Sequence, residues 1–122
     1  MYNYFFLVGR VCNDIELKVV GDGKKVVNLF LATTRDFKNM DGTYSTDFFP
    51  IALWEFMAEV AVDILKKGSI VGIKGRLASK KETLASGAVI TTTELVGEKI
   101  VFSGDNRYRA YPEETDELEE EK

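Results

Sequence analysis

A small all-β barrel of five strands, with one helix between the third and the fourth, is the fold class that the sequence predicts. Three observations carry it. Runs rich in aromatic and β-branched residues recur along the chain, divided by short clusters of turn formers. Helical periodicity shows only once, from Glu55 onward. With 122 residues, 45% hydrophobic and 30% charged, the chain has material for one core and hardly for two.

The first 36 residues read as strands. Tyr2 to Cys12 is dense in aromatic and β-branched side chains, Ile15 to Val20 alternates apolar with charged, and Gly21-Asp22-Gly23 supplies a turn. Lys24 to Thr34 is the second strand, so the opening segment is a hairpin with a long, bent first strand. Gly9 sits where a bend or bulge would fall, or is a glycine merely tolerated there. Lys38-Asn39-Met40-Asp41-Gly42 is a turn-rich connector, and Tyr44 to Leu53 resumes as the third strand, making a second hairpin across residues 37 to 45.

After Glu55 the period changes. Phe56, Met57, Val60, Ala61, Ile64 and Leu65 fall on one helical stripe fit to cap a core, Lys66 and Lys67 suit the negative end of that helix, and Gly68 is its expected stop. Ile70 to Leu77 is the fourth strand, with Val71, Ile73, Gly75 and Leu77 inward and Lys74 and Arg76 outward. Lys80 to Gly87 reads as a loop, and Val89 to Phe102 as the closing strand. The order β-β-β-α-β-β, with extended hairpin loops, is that of the oligonucleotide-binding (OB) fold, a partly open barrel. Residues 1 to 104 are the expected domain, and residues 105 to 122 a short acidic tail too charged to pack.

Several function classes fall away at once. Cys12 is the only cysteine and there is no histidine, which removes internal disulfides, the usual zinc sites and Ser–His or Cys–His nucleophile pairs. Asp36, Asp41 and Asp47 lie in or beside a turn, where acids commonly serve as turn formers, so neither a metal nor any other cofactor is expected and the chain is not read as an enzyme. Apolar runs such as Tyr4 to Val8 are far short of the ~20 residues of a membrane span, and no basic-then-apolar leader opens the chain. A cytoplasmic protein is expected, with no membrane contact.

The net charge of −4 hides an asymmetry. Residues 113 to 122 carry seven acids against Lys122, which leaves residues 1 to 112 at +2, from 15 basic and 13 acidic side chains. A mildly basic body with an acidic appendage points toward nucleic acid. Along the third strand Phe49, Ile51 and Leu53 face one way and Phe48, Pro50, Ala52 and Trp54 the other, so both sides are apolar. A small barrel buries one face of a strand in its own core, and the second must meet a subunit, the helix or a ligand. Unpaired bases suit that second face, because every base has a π-face to lay on an exposed ring. Phe37, Tyr44, Phe48 and Trp54 are the candidate rings. Arg10, Lys18, Arg35, Lys38, Lys74, Arg76, Lys80 and Lys81 are the candidate phosphate contacts, with Arg35 and Arg76 favoured because guanidinium also stacks.

These residues resemble the bacterial single-stranded DNA-binding protein family from about residue 3 to 103. The resemblance rests on Leu7-Val8-Gly9-Arg10, Val27-Asn28-Leu29-Phe30-Leu31-Ala32-Thr33, Ala58-Glu59-Val60-Ala61, Leu65-Lys66-Lys67-Gly68-Ser69, Gly75-Arg76-Leu77 and Thr93-Glu94. It implies an OB barrel that assembles as a homotetramer and wraps single-stranded DNA without sequence preference in replication, recombination and repair, in the cytoplasm at the nucleoid. It also implies stacking roles for Phe37, Phe48 and Trp54, and a subunit contact at Phe49. Two departures stand out. Glu82 occupies a hairpin position where the family usually has an aromatic, and the chain ends Glu121-Lys122 without the terminal apolar pair that docks partner enzymes. A primosomal or recombination accessory protein, holding other proteins through the same barrel, is the alternative reading.

Overall fold

The structure is a computed structural model, and it describes residues 1–104. The acidic tail expected over residues 105 to 122 lies outside the described residues. The elements follow in the order β1 (Phe5–Val11), β2 (Lys18–Val20), β3 (Lys24–Lys38), β4 (Tyr44–Trp54), α1 (Phe56–Ile64), β5 (Ile70–Thr83) and β6 (Val89–Gly104). The sheet runs β1-β5-β6-β4-β3-β2, and an added β1–β3 pairing at Arg10↔Ala32 and Val11↔Leu31 closes five of the strands into a ring. Neighbours in that ring are antiparallel except β4 and β6, which run parallel over Ile51–Leu53. This is the expected OB barrel, with the first strand divided into β1 and β2.

The division has a local cause. Between β1 and β2 the chain leaves the ladder and Asn13 takes over its work: Nδ2 donates to the Asn28 carbonyl at 2.8 Å, and Oδ1 accepts from the Phe30 N–H at 2.9 Å. A side-chain amide carries both a donor and an acceptor, so it satisfies the edge of β3 as a strand would.

The barrel interior is filled by Val11, Val27, Leu29, Leu31, Ile51, Leu53, Val71 and Ile73, each at most 1% exposed. Alternate residues of a strand face one side, and these positions are the inward set of β1, β3, β4 and β5. Helix α1 stoppers one end with Ala58 and Ala61, followed by Leu65 just past its last turn, while Met57 packs against the same cluster. Two expected stripe residues, Phe56 and Ile64, are instead 72% and 49% exposed. The buried residues Ala58, Ala61 and Leu65, spaced by three and four with Met57 beside them, form a stripe narrow enough for so small a barrel. The helix also ends earlier than expected. Leu65 is already extended, so Lys66 and Lys67 lie beyond it, and Gly68, with φ 96°, turns the connector in which Ser69 N–H donates to the Lys66 carbonyl.

Two further corrections concern β5. Lys80 to Thr83 are strand, paired with Val89–Thr92, so only the tip of this hairpin is loop. Leu77 is 42% exposed, because the core takes Val71 and Ile73 from β5 and nothing farther along, and the strand has outrun the layer that would cover it. A two-stranded arm thus projects from the barrel beside the β3–β4 hairpin.

Candidate nucleic-acid interface

Residues directly opposite each other in an antiparallel pair point to the same side of the sheet. On the outer side of β3 and β4 this places Asn28 beside Ala52, Phe30 beside Pro50, and Ala32 beside Phe48. Arg10 of β1 lies opposite Ala32, so one row crosses three strands as Arg10, Ala32 and Phe48. Phe48 is 63% exposed, Phe30 45% and Tyr44 50%, with Tyr44 four residues along the same side of β4. Phe37, 64% exposed, stands near the tip of the same hairpin. Trp54 lies opposite Val26 at the other end of β4 and is half-buried. Ala52, expected on the open side, is buried at 5% exposure, as is Val26 at 4%. The open face therefore runs from Tyr44 to Pro50, ~20 Å of strand.

Pro50 explains why this face is open. Phe30 directs both its backbone groups away from β4, its N–H to Asn13 and its carbonyl to the Cys12 N–H at 2.9 Å. The Phe30/Pro50 pair is then a non-hydrogen-bonded one, where no donor is required of the proline and the two side chains stand closest. On its other flank Pro50 cannot extend the β4–β6 ladder, whose register starts at Ile51. The strands part there, and an open groove of about 480 Å³ forms between β4 and the β5–β6 arm, lined among others by Asn28, Phe49, Pro50, Lys80, Glu82 and Thr92.

The cations are arranged less simply than the sequence suggests. Arg35 is held by Asp47 in a two-point contact, Nε to Oδ2 at 3.0 Å and Nη2 to Oδ1 at 2.9 Å, and this partnership pulls the Asp47 carboxyl below the ordinary carboxylate range. Because Asp47 alternates with Phe48, the pair sits on the opposite side of the strand from that ring. Arg76 is likewise paired, its Nε 3.2 Å from Glu98. Lys74 stands 5.9 Å over the Tyr4 ring on the β1–β5 side. Arg10 differs from all of these: its Nε is buried and has no hydrogen-bond partner among the described residues. Lys80 lines the groove, and Lys38 pairs with Tyr44 at the hairpin tip. Lys81 pairs with Thr91 on the projecting arm, and Lys18 is exposed in β2.

The acids of the β3–β4 hairpin have local work. Asp41 accepts from the Thr43 hydroxyl at 2.7 Å and its N–H at 3.0 Å, and those bonds, the hydroxyl first, lower its pKa. No group of three metal-ligating side chains occurs among the described residues. Cys12 is half-buried, and burial raises its thiol pKa, the reverse of what a reactive thiolate needs. No helix among the described residues is long and apolar enough to cross a membrane.

Phe30 and Asn13 are the residues that the sequence reading missed. Alternation along Val27-Asn28-Leu29-Phe30-Leu31 puts Phe30 opposite to three core residues, the same signal that singled out Phe48, while Asn13 gives no local sign of its role.

Comparison with known proteins bears on this geometry. The profile of the Single-strand binding protein family matches residues 2–103. The single-stranded DNA-binding protein of Halalkalibacterium halodurans is 35% identical over 102 residues, 84% of this chain and 61% of that protein. Single-stranded DNA-binding protein B of Bacillus subtilis is 32% identical over 102 residues, covering 84% of this chain and 90% of its own length. Among solved structures, that described as Plasmodium falciparum SSB complex with ssDNA superimposes with a TM-score of 0.64 at 26% identity, covering 79% of this chain and 86% of that one. The chain spans less than two thirds of the length of the first of these relatives.

Proposed function

The chain belongs to the single-strand binding protein family, and from that premise we propose that it binds single-stranded DNA without sequence preference and protects it during replication, recombination and repair. The observation that carries this reading is the outer face of β3–β4, where Phe48 and its neighbours present ring surface on a row that also holds Arg10. Stacking supplies sequence-tolerant affinity, about 1 to 3 kcal/mol per base, and cations track the backbone. The role is binding and not catalysis. We propose that the assembly is a homotetramer in which Phe49, half-buried at the groove, lies at a subunit contact. The cytoplasm at the nucleoid is the site of action proposed, and residues 1 to 104 the DNA-binding domain. Replication and repair proteins are the partners proposed for the DNA-bound form.

Binding of a labelled oligothymidylate, followed by anisotropy from low to moderate salt, tests the reading. Arg10 gives a sharp case. Arg10 is half-buried on the Phe48 row, where a guanidinium can pair with a phosphate and also stack. Arg10→Gln is expected to weaken binding several-fold and to make the slope of log affinity against log salt shallower by ~0.7, the value for one phosphate on a single strand. An unchanged slope would take Arg10 off the DNA path.

Glu82 gives the opposite case. It lines the groove close to Lys80, where a carboxylate repels phosphate. Glu82→Trp removes that charge and adds a ring, and single strands are expected to bind several-fold more tightly; equal or weaker binding would place the DNA elsewhere.

A further inference from the structure

We infer that Phe30 is an additional base-stacking position, continuing the Phe48 platform across the strand boundary onto β3. The inference rests on the single-strand reading above and goes beyond it by assigning a residue that lies on a different strand from Phe48 and Trp54.

Folding gives no reason for a ring at this place. Leu29 and Leu31 on either side fill the core with no exposed surface, and Phe30 points the other way, 45% exposed. Its position on the strand is fixed. Its backbone is fixed by the Asn13 and Cys12 hydrogen bonds, and its cross-strand neighbour is a proline in the closest type of pair. A rigid pyrrolidine as the cross-strand neighbour narrows the rotamer freedom that base binding would otherwise have to freeze. Phe48 is the diagonal neighbour, opposite Ala32 where Phe30 is two residues back, a separation of ~7 to 8 Å that long or aromatic side chains span. Ala32, opposite Phe48 and two residues along β3 from Phe30, adds only a methyl group beside the two rings. Asn28, next on the same side, lines the groove and brings a neutral amide that can bond to a base edge or a phosphate without adding charge.

The geometry thus offers two successive bases two rings, with Arg10 at the end of the Phe48 row for the intervening backbone. A ring contributes stacking and no charge, so its removal should lower affinity without altering the salt response.

The test is oligothymidylate binding by the wild-type chain and by Phe30→Ala, Phe30→Leu and Phe30→Trp, with melting curves and light scattering on each. The leucine variant keeps an apolar side chain of similar size but has no π-face. Expected are wild-type assembly mass and folded baselines throughout, about tenfold weaker binding by the alanine and leucine variants, wild-type or tighter binding by the tryptophan variant, and one common salt slope. Wild-type affinity in Phe30→Leu would overturn the inference and leave the single-strand reading standing. An affinity loss that tracks a fall in assembly mass would also overturn it, by making Phe30 a contact between copies. Failure of the wild-type chain to bind at low salt would reject the underlying reading itself.

Discussion

Phe48→Ala is expected to weaken binding of an oligothymidylate by one to two orders of magnitude while leaving the melting temperature close to that of the wild type. The ring is 63% exposed and outside the core cluster, so truncation removes little packing. What it removes is a ring in the middle of the open β3–β4 face, flanked by Ala32, Pro50 and Thr46, none of which can substitute for it. One lost stack costs about 1 to 3 kcal/mol, which is roughly a 5- to 150-fold change in affinity. Phe48→Trp should restore or exceed wild-type binding, because the larger ring offers more π-surface at the same position. Measured by anisotropy at two salt concentrations, the alanine variant should keep the wild-type salt slope. A loss below threefold would mean that the bases lie elsewhere.

A large effect on stability is expected at Gly9. A Cβ built there would lie 2.3 Å from the Ala32 carbonyl oxygen and 3.0 Å from the Leu31 side chain, and backbone cannot give way as the end of a side chain can. The contact falls where β1 crosses β3 and closes the ring at Arg10↔Ala32. Gly9 is thus a place where two backbones meet too closely for a side chain, and not a simple bend. Gly9→Ala should cost about 3 kcal/mol or more, a fall in melting temperature of more than ~10 °C for a domain of this size. Gly42→Asn is the contrast. Gly42 has φ 88° at the hairpin tip with nothing within 4 Å of a Cβ built on it, and asparagine tolerates such angles, so the cost should stay under ~1 kcal/mol. Similar losses in both variants, read by thermal melting, would remove the barrel-closure argument.

How much of this was legible in the sequence depends on whether an element has a buried face. β3 and β4 bury mainly one side, and alternation revealed them and their inward residues, while the first four residues of β5 are buried on both sides and showed as an apolar run. Lys80 to Thr83 read as loop because the projecting arm buries neither face, and a strand exposed on both sides carries no alternating signal. The break after β1 was hidden for another reason, since Asn13 replaces a strand edge through its side chain across 15 and 17 residues of sequence. Charge pairing was the least legible. Arg35 and Arg76 looked free in sequence, yet register alone brings Asp47 and Glu98 to them. Phe30 carries the same alternating signal as Phe48, since it lies between the fully buried Leu29 and Leu31.

The central claim is that rings on the outside of this barrel meet unpaired bases. Its most direct test is a titration of the full chain against a fluorescent oligothymidylate and against a duplex of the same length, in one low-salt buffer. The account predicts saturable binding of the single strand and binding to the duplex weaker by at least about a hundredfold, because paired and stacked bases have no free face to offer. Equal affinity for both would reduce the interaction to charge on phosphate, and would contradict the role given to Phe48 and its neighbours.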